Sequence, residues 1–148
     1  MDIWEQMLEL EPFLRHIGIE AEALGPDQAI LRLPVRKEIT NHTGGIHGGA
    51  QFALGEATGV TAAGLSLGLP LDQILVLTAT STITYARPAQ GTLRGRANIL
   101  NDQRDQLQAS WQERGRARVT IPVEIITDAG EVVTTLSVSC VLLPAKSA

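Results

Sequence analysis

Cysteine, aromatic rings and basic charge are all scarce in this chain of 148 residues. The one cysteine, Cys140, rules out a disulfide within the chain, and its place in the alternating run LSVSCVLL fits a buried structural thiol. Two Phe, two Trp and one Tyr are too few for ring stacking to dictate an aryl ligand. A net charge of -4 argues against a general nucleic-acid or anionic-membrane binder. No apolar run reaches spanning length without Gly, Pro or polar interruption, and the start Met1-Asp2-Ile3-Trp4-Glu5 has no basic leader. A soluble, cytoplasmic protein with a small-molecule partner is therefore expected. The sharpest scarcity is local. From Ile39 through Leu71 there is no Lys, Arg or Asp, and the only acid is Glu56. A carboxylate in apolar surroundings costs several kcal/mol unless it is paired, hydrogen-bonded or protonated, so its presence calls for a reason.

The hydrophobic pattern orders the chain. Residues 2–16 carry apolar residues near helical spacing and Gly18 closes the segment, which predicts an amphipathic N-terminal helix. Ile19–Leu24 and Ala29–Val35 read as a hairpin around Gly25-Pro26-Asp27. A Gly-containing loop then leads into a central helix over about 49–67, with Phe52, Glu56, Val60, Ala63 and Leu67 on one face. Gly55 and Gly59 leave that helix a smooth stripe that another backbone could approach. Beyond Pro70 the period becomes two, over Leu75–Tyr85, Thr92–Leu100, Ala117–Thr127 and Val132–Leu143, with Asp128-Ala129-Gly130 as the last turn. The polar stretch 101–115 reads as a short helix or an extended excursion. With no repeat and no linker, a single α+β domain over 1–148 is expected, one helix buried by one antiparallel sheet.

Within this frame, Asn41-x-x-Gly44-x-x-His47-Gly48-Gly49, then Phe52, Leu54 and Glu56, then TITYARPAQGTLRGRA from Thr82 to Ala97, resembles the PaaI-like hotdog-fold acyl-CoA thioesterases. The likeness runs from about Ile17 to Leu143. It implies the hotdog fold, with a sheet wrapped around the central helix and the N-terminal helix as an addition. It implies hydrolysis of an acyl-CoA thioester with no metal and no cofactor, CoA entering only as part of the substrate. Gly48 would supply an oxyanion-hole N–H, and Glu56, where PaaI-like members most often carry Asp, would activate water or attack directly. Asn41 would orient that carboxylate or the water, and His47 would shape the Gly-Gly turn and hydrogen-bond the thioester. Thr78, ten residues before Pro88, matches a position where members carry a hydroxyl that holds water, with Thr80 and Ser81 as rivals.

Physical chemistry adds to this. Unpaired N–H groups and the positive helix end at Gly48 and Gly49 suit a developing oxyanion. Glu56 lies eight residues on, about 12 Å along the axis, too far for both to meet one carbonyl. Two copies packed antiparallel, helped by Gly55 and Gly59, would bring one Glu56 to the other Gly48, so a homodimer or a dimer of dimers is expected. The alternating Arg114, Arg116 and Arg118 would project from one strand face, while Arg87, Arg94 and Arg96 cluster near another strand exit, either group serving the CoA phosphates. The competing readings are a paired structural carboxylate at Glu56, a loop histidine without chemistry at His47 and a solvated arginine face. At the level of function they are a non-catalytic acyl-CoA-binding hotdog module and a hotdog dehydratase, the latter a poor match to His47.

Overall fold

The computed structural model describes residues 1–146. The chain runs through α1 (Ile3–Leu10), α2 (Pro12–Ile17), β1 (Glu20–Leu24), β2 (Gln28–Leu33), α3 (Gly48–Leu65), β3 (Ile74–Tyr85), β4 (Leu93–Asn98), α4 (Asn101–Arg114), β5 (Ala117–Thr127) and β6 (Val132–Pro144). The strands pair antiparallel in one six-stranded sheet, in the order β1-β2-β4-β5-β6-β3, and α3 packs against β2 through β6. This is the expected α+β hotdog fold. The two-residue period places Val119, Ile121, Val123 and Ile125 of β5, and Leu136, Val138, Cys140 and Leu142 of β6, in the core beneath the helix.

What lets an 18-residue helix sink onto this sheet is the absence of side chains at the contact. A Cβ at Gly55 would overlap the Leu136 methyls, and one at Gly59 would stand 2.8 Å from Val138 Cβ. On the strand side, a Cβ at Gly95 of β4 would overlap Thr58. The smooth stripe of Gly55 and Gly59 therefore receives the chain's own sheet. The expectation that it favours a second helix is corrected, because both glycines are buried against β6.

The N-terminal helix over residues 2–16 is also corrected. It is two helices, broken at Glu11, whose backbone (φ -131, ψ 73) has left the helical region because Pro12 follows it. Asp2 caps the first, its side chain accepting from the Glu5 N–H at 2.8 Å, and Gly18 closes the second in the left-handed region at φ 85. Residues 101–114 settle as a helix with a structural task. Strand β4 pairs only with the far half of β5, so the stretch from Ala117 to Val123 has a free edge. Helix α4 covers it: Leu107 is buried, Gln103 Nε2 donates to the Thr120 carbonyl at 3.1 Å and Ser110 Oγ donates to that of Arg116 at 2.8 Å.

The tight seating of α3 has a measurable consequence. Gly59→Ala forces a methyl against β-branched Val138, which cannot swing away, and should destabilise the fold by about 1–3 kcal/mol. Urea denaturation of the variant beside the parent checks this.

Candidate active site

The start of α3 is held by its neighbours on all sides. His47 caps the helix, its Nδ1 accepting from the Gly49 N–H at 2.8 Å, and the His47 N–H donates to the Ile39 carbonyl at 2.8 Å. The Ile46 N–H donates to the Ala89 carbonyl at 2.8 Å, tying this loop to the segment that follows β3. Asn41 folds the loop back: its Oδ1 accepts from the N–H and hydroxyl of Thr43 at 2.9 and 2.7 Å. Tyr85 lies over Gly48, its Oη donating to the Gly48 carbonyl at 3.0 Å, and a Cβ on Gly48 would stand 3.1 Å from that oxygen. Buried Gln51 donates from Nε2 to the Ile46 carbonyl at 2.9 Å and accepts the Thr134 hydroxyl. Around them is a cleft of ≈ 520 Å³, lined by Asn41, Gly48, Gly49, Tyr85 and Arg87 among others.

The backbone donors at this helix end are unequally occupied. Gly49 gives its N–H to His47, so of the two glycines expected to meet a ligand only Gly48 keeps a free donor; among the described residues neither Gly48 nor Ala50 has a hydrogen-bond acceptor for its N–H. Arg87 is exposed at the cleft rim, 3.5 Å from Glu131.

Glu56 is half-buried on α3, on the face that Val60 and Gly64 continue, and among the described residues it makes no hydrogen bond and no ion pair. Its charge is felt nearby. Desolvation first and Glu56 second push the Glu11 carboxyl above its ordinary value, and the same two causes raise the Cys140 thiol to about 11. Cys140 is thus a buried neutral thiol, as its sequence context implied.

A bulge between Thr78 and Thr80 decides which hydroxyls face the helix. Before it, Val76 packs toward Gly64; after it, Ile83 packs on the core and Tyr85 reaches Gly48. Thr78 and Ser81 therefore both turn inward, while Thr80 is exposed. Ser81 pairs with Val138, the residue beneath Gly59, and so sits beside the turn that carries Glu56. Its Oγ is a buried polar atom without a hydrogen-bond partner among the described residues.

The arginine expectation is corrected. Arg114 ends α4, Gly115 caps it in the left-handed region and β5 begins only at Ala117, so Arg114, Arg116 and Arg118 share no strand face. Ala117 lies eight residues along β5 from Ile125, the strand level of Thr134 and the cleft, or roughly 26 Å away. Arg94 is engaged by Glu22 at 2.8 Å and by Asp128, and Arg96 by Glu124 at 2.8 Å. Only Arg87 of the expected arginines joins the cleft. Sequence reasoning passed over Tyr85 and Gln51 as site residues. The first stood inside the quoted TITYARP motif, and the second was a polar side chain on the helix turn that follows the Gly-Gly pair.

The family model described as a domain of unknown function (DUF4442) matches residues 3–142. The chain belongs to the DUF4442 family. No curated protein matches it in sequence. Among solved structures, this DUF4442 chain is similar to the Pseudomonas aeruginosa protein PA5026, a protein of unknown function and probable thioesterase. That likeness has 27% identity and a TM-score of 0.81, over 95% of this chain and 92% of the other. The thioesterase HI1161 of Haemophilus influenzae shares 21% identity at TM-score 0.76, over 99% and 94% of the two chains. The E. coli PaaI protein, from the phenylacetic acid degradation operon, shares 17% at TM-score 0.71, over 93% and 88%. At those two identities the likeness is one of fold. The DUF4442 chain thus has the PaaI-like hotdog fold, in which thioesterases occur, and no described helix is long and apolar enough to cross a membrane.

Two consequences follow from the raised groups. Cys140 should resist thiol reagents in the folded protein and react at once after denaturation, as followed by the absorbance of released thionitrobenzoate. Because burial favours the neutral Glu11 carboxyl, folding takes up a proton there. The stability this adds is complete below the ordinary carboxyl value and is lost as pH rises through the raised one. Glu11→Gln should flatten that loss, by roughly a few tenths of a kcal/mol given the residue's exposure, in denaturation midpoints taken at acid and neutral pH.

Proposed function

We propose that this chain hydrolyses an acyl-CoA thioester to a carboxylic acid and free CoA, as a homodimer whose two sites are each shared between subunits. The observation that carries the reading is the pair formed by the free Gly48 N–H in a polar cleft and the unpaired, half-buried Glu56 eight residues along the same helix. About 12 Å separates them, so neither completes a site within one chain. Strand β3 supports the assembly: it is the outer strand of the sheet, 12 residues long, with Leu75 and Leu77 exposed. Antiparallel pairing of two β3 edges would carry one subunit's Glu56 toward Gly48 of the partner subunit, across the open flank of α3 and not across its glycines.

In that arrangement the thioester carbonyl accepts from Gly48 and the positive helix end, which hold the oxyanion as it forms. Glu56 takes a proton from water as the water oxygen bonds to the carbonyl carbon. The tetrahedral intermediate then expels the CoA thiolate, which leaves with a proton. Thr78 and Ser81 offer hydroxyls to hold the water, Asn41 presents its Nδ2 donor from the cleft wall, and His47 fixes the Gly-Gly turn by capping it. Arg87, at the rim, is the cation best placed for the CoA end. The reaction draws on no metal and no cofactor.

Glu56→Gln keeps the shape and removes the base. It should lower kcat on acyl-CoA by at least about a hundredfold while sedimentation still shows a dimer. Thiol release at the parent rate from that variant would overturn the assignment, and a strictly monomeric parent would overturn the shared site.

A further inference from the structure

A second concavity lies at the other half of α3. Between α1, the α3 flank and the start of β3 runs a groove of ≈ 400 Å³, lined by Met7, Leu10, Val60, Gly64 and Val76 among others. Its volume is within the ordinary range of ligand pockets. Among the described residues no aromatic side chain lines it, and Glu11 is its only charged residue. Val60 and Gly64 follow Glu56 at four-residue spacing, so the groove continues the face on which Glu56 stands. Glu11 ties the two together, since it lines the groove and senses the charge of Glu56.

We infer that this groove holds the acyl chain of the substrate, and that the chain it fits is aliphatic. The inference rests on the hydrolase reading and names its substrate class. The polar cleft with Arg87 and the apolar groove sit at opposite ends of one helix. Antiparallel pairing of two copies sets the cleft of one against the Glu56 end of the groove of the other. A thioester placed at Glu56 then points its polar CoA arm into one concavity and its hydrocarbon into the other. From Glu56 to Gly64 the helix rises about 12 Å, the length of an extended chain of roughly ten carbons. The walls are flexible Met and Leu side chains without a ring to stack on an aryl group, which suits a linear chain.

The test is a kcat/KM profile across butyryl-, octanoyl-, decanoyl- and phenylacetyl-CoA, for the parent and for Val60→Phe and Gly64→Ala. A Cβ at Gly64 meets Val76 at an ordinary 3.5 Å, so the alanine variant fits the fold and narrows the groove. Complete burial of a methylene is worth about fourfold, so decanoyl-CoA should exceed butyryl-CoA by at least tenfold in the parent, with phenylacetyl-CoA below decanoyl. Val60→Phe should cut the decanoyl-to-butyryl ratio by about tenfold, and Gly64→Ala should cut it less. An unchanged ratio in both variants, equal loss on every substrate, or a parent preference for phenylacetyl-CoA would overturn the inference. Equal loss together with a weakened dimer would mean that a second copy covers the groove. Binding of the non-hydrolysable S-alkyl-CoA thioethers separates this from the hydrolase reading. Thioether affinity that rises with chain length and falls in Val60→Phe sustains the groove even where no thioester is cleaved; flat affinity overturns it even where hydrolysis is seen.

Discussion

The close seating of α3 on the sheet is the contact on which the rest of this structure depends. Glycine at positions 55, 59 and 95 removes the side chains that would hold helix and strands apart, and Thr58, Leu136 and Val138 occupy the space. Once those faces are committed to the sheet, helical geometry leaves no freedom over what faces outward. Phe52, Glu56 and Val60, at four-residue spacing, lie along the margin of the buried row, and each is only partly buried. The position of the candidate base is therefore a by-product of packing. The same glycines that bury one face expose the acid on another.

The bulge in β3 plays the matching part on the strand side. A regular strand that turned Val76 and Thr78 toward the helix would have turned Ser81, Ile83 and Tyr85 away from it. One inserted residue reverses the parity, so the strand presents a hydroxyl on each side of the irregularity and still delivers Tyr85 to the helix start. The cleft's Tyr85 and the hydroxyls facing the helix thus depend on a local defect in an otherwise regular ladder, paired to β6 along its whole length.

Most of the fold was legible because its signals are local and redundant. The period-two runs located the four strands that follow α3, turn residues marked both hairpins, and the apolar tract with its Gly-Gly start located α3. Family resemblance then supplied Asn41, Gly48, His47 and Glu56, which the structure distributes between the cleft and the middle of the helix. What the sequence did not disclose were matters of partner choice. Gly55 and Gly59 signal a close approach without saying whose backbone approaches, and here it is the chain's own β6. Pro12 was a visible break, yet the amphipathic pattern carries across it, since both short helices pack on the same core. The register RGRAR looked like a strand because alternation survives a helix end capped by Gly115, where Arg114 closes α4 and Arg116 precedes β5. Tyr85 and Gln51 matter through contacts 37 and 83 residues away in sequence, beyond any periodicity.

The treatment of the sheet's margins carries one last implication. Strand β1, at one end, is five residues long, irregular between Ala21 and Ala23, and bears Glu20 and Glu22. The half-open side of β5 lies under α4. Among the described residues only the β3 margin is long and uncovered. Strand addition to this molecule is accordingly one-sided, and two copies joined there exhaust each other's valence. The architecture has a built-in stop against polymerisation at its sheet edges, since a molecule with one long bare margin would pair there once without seeding a fibre.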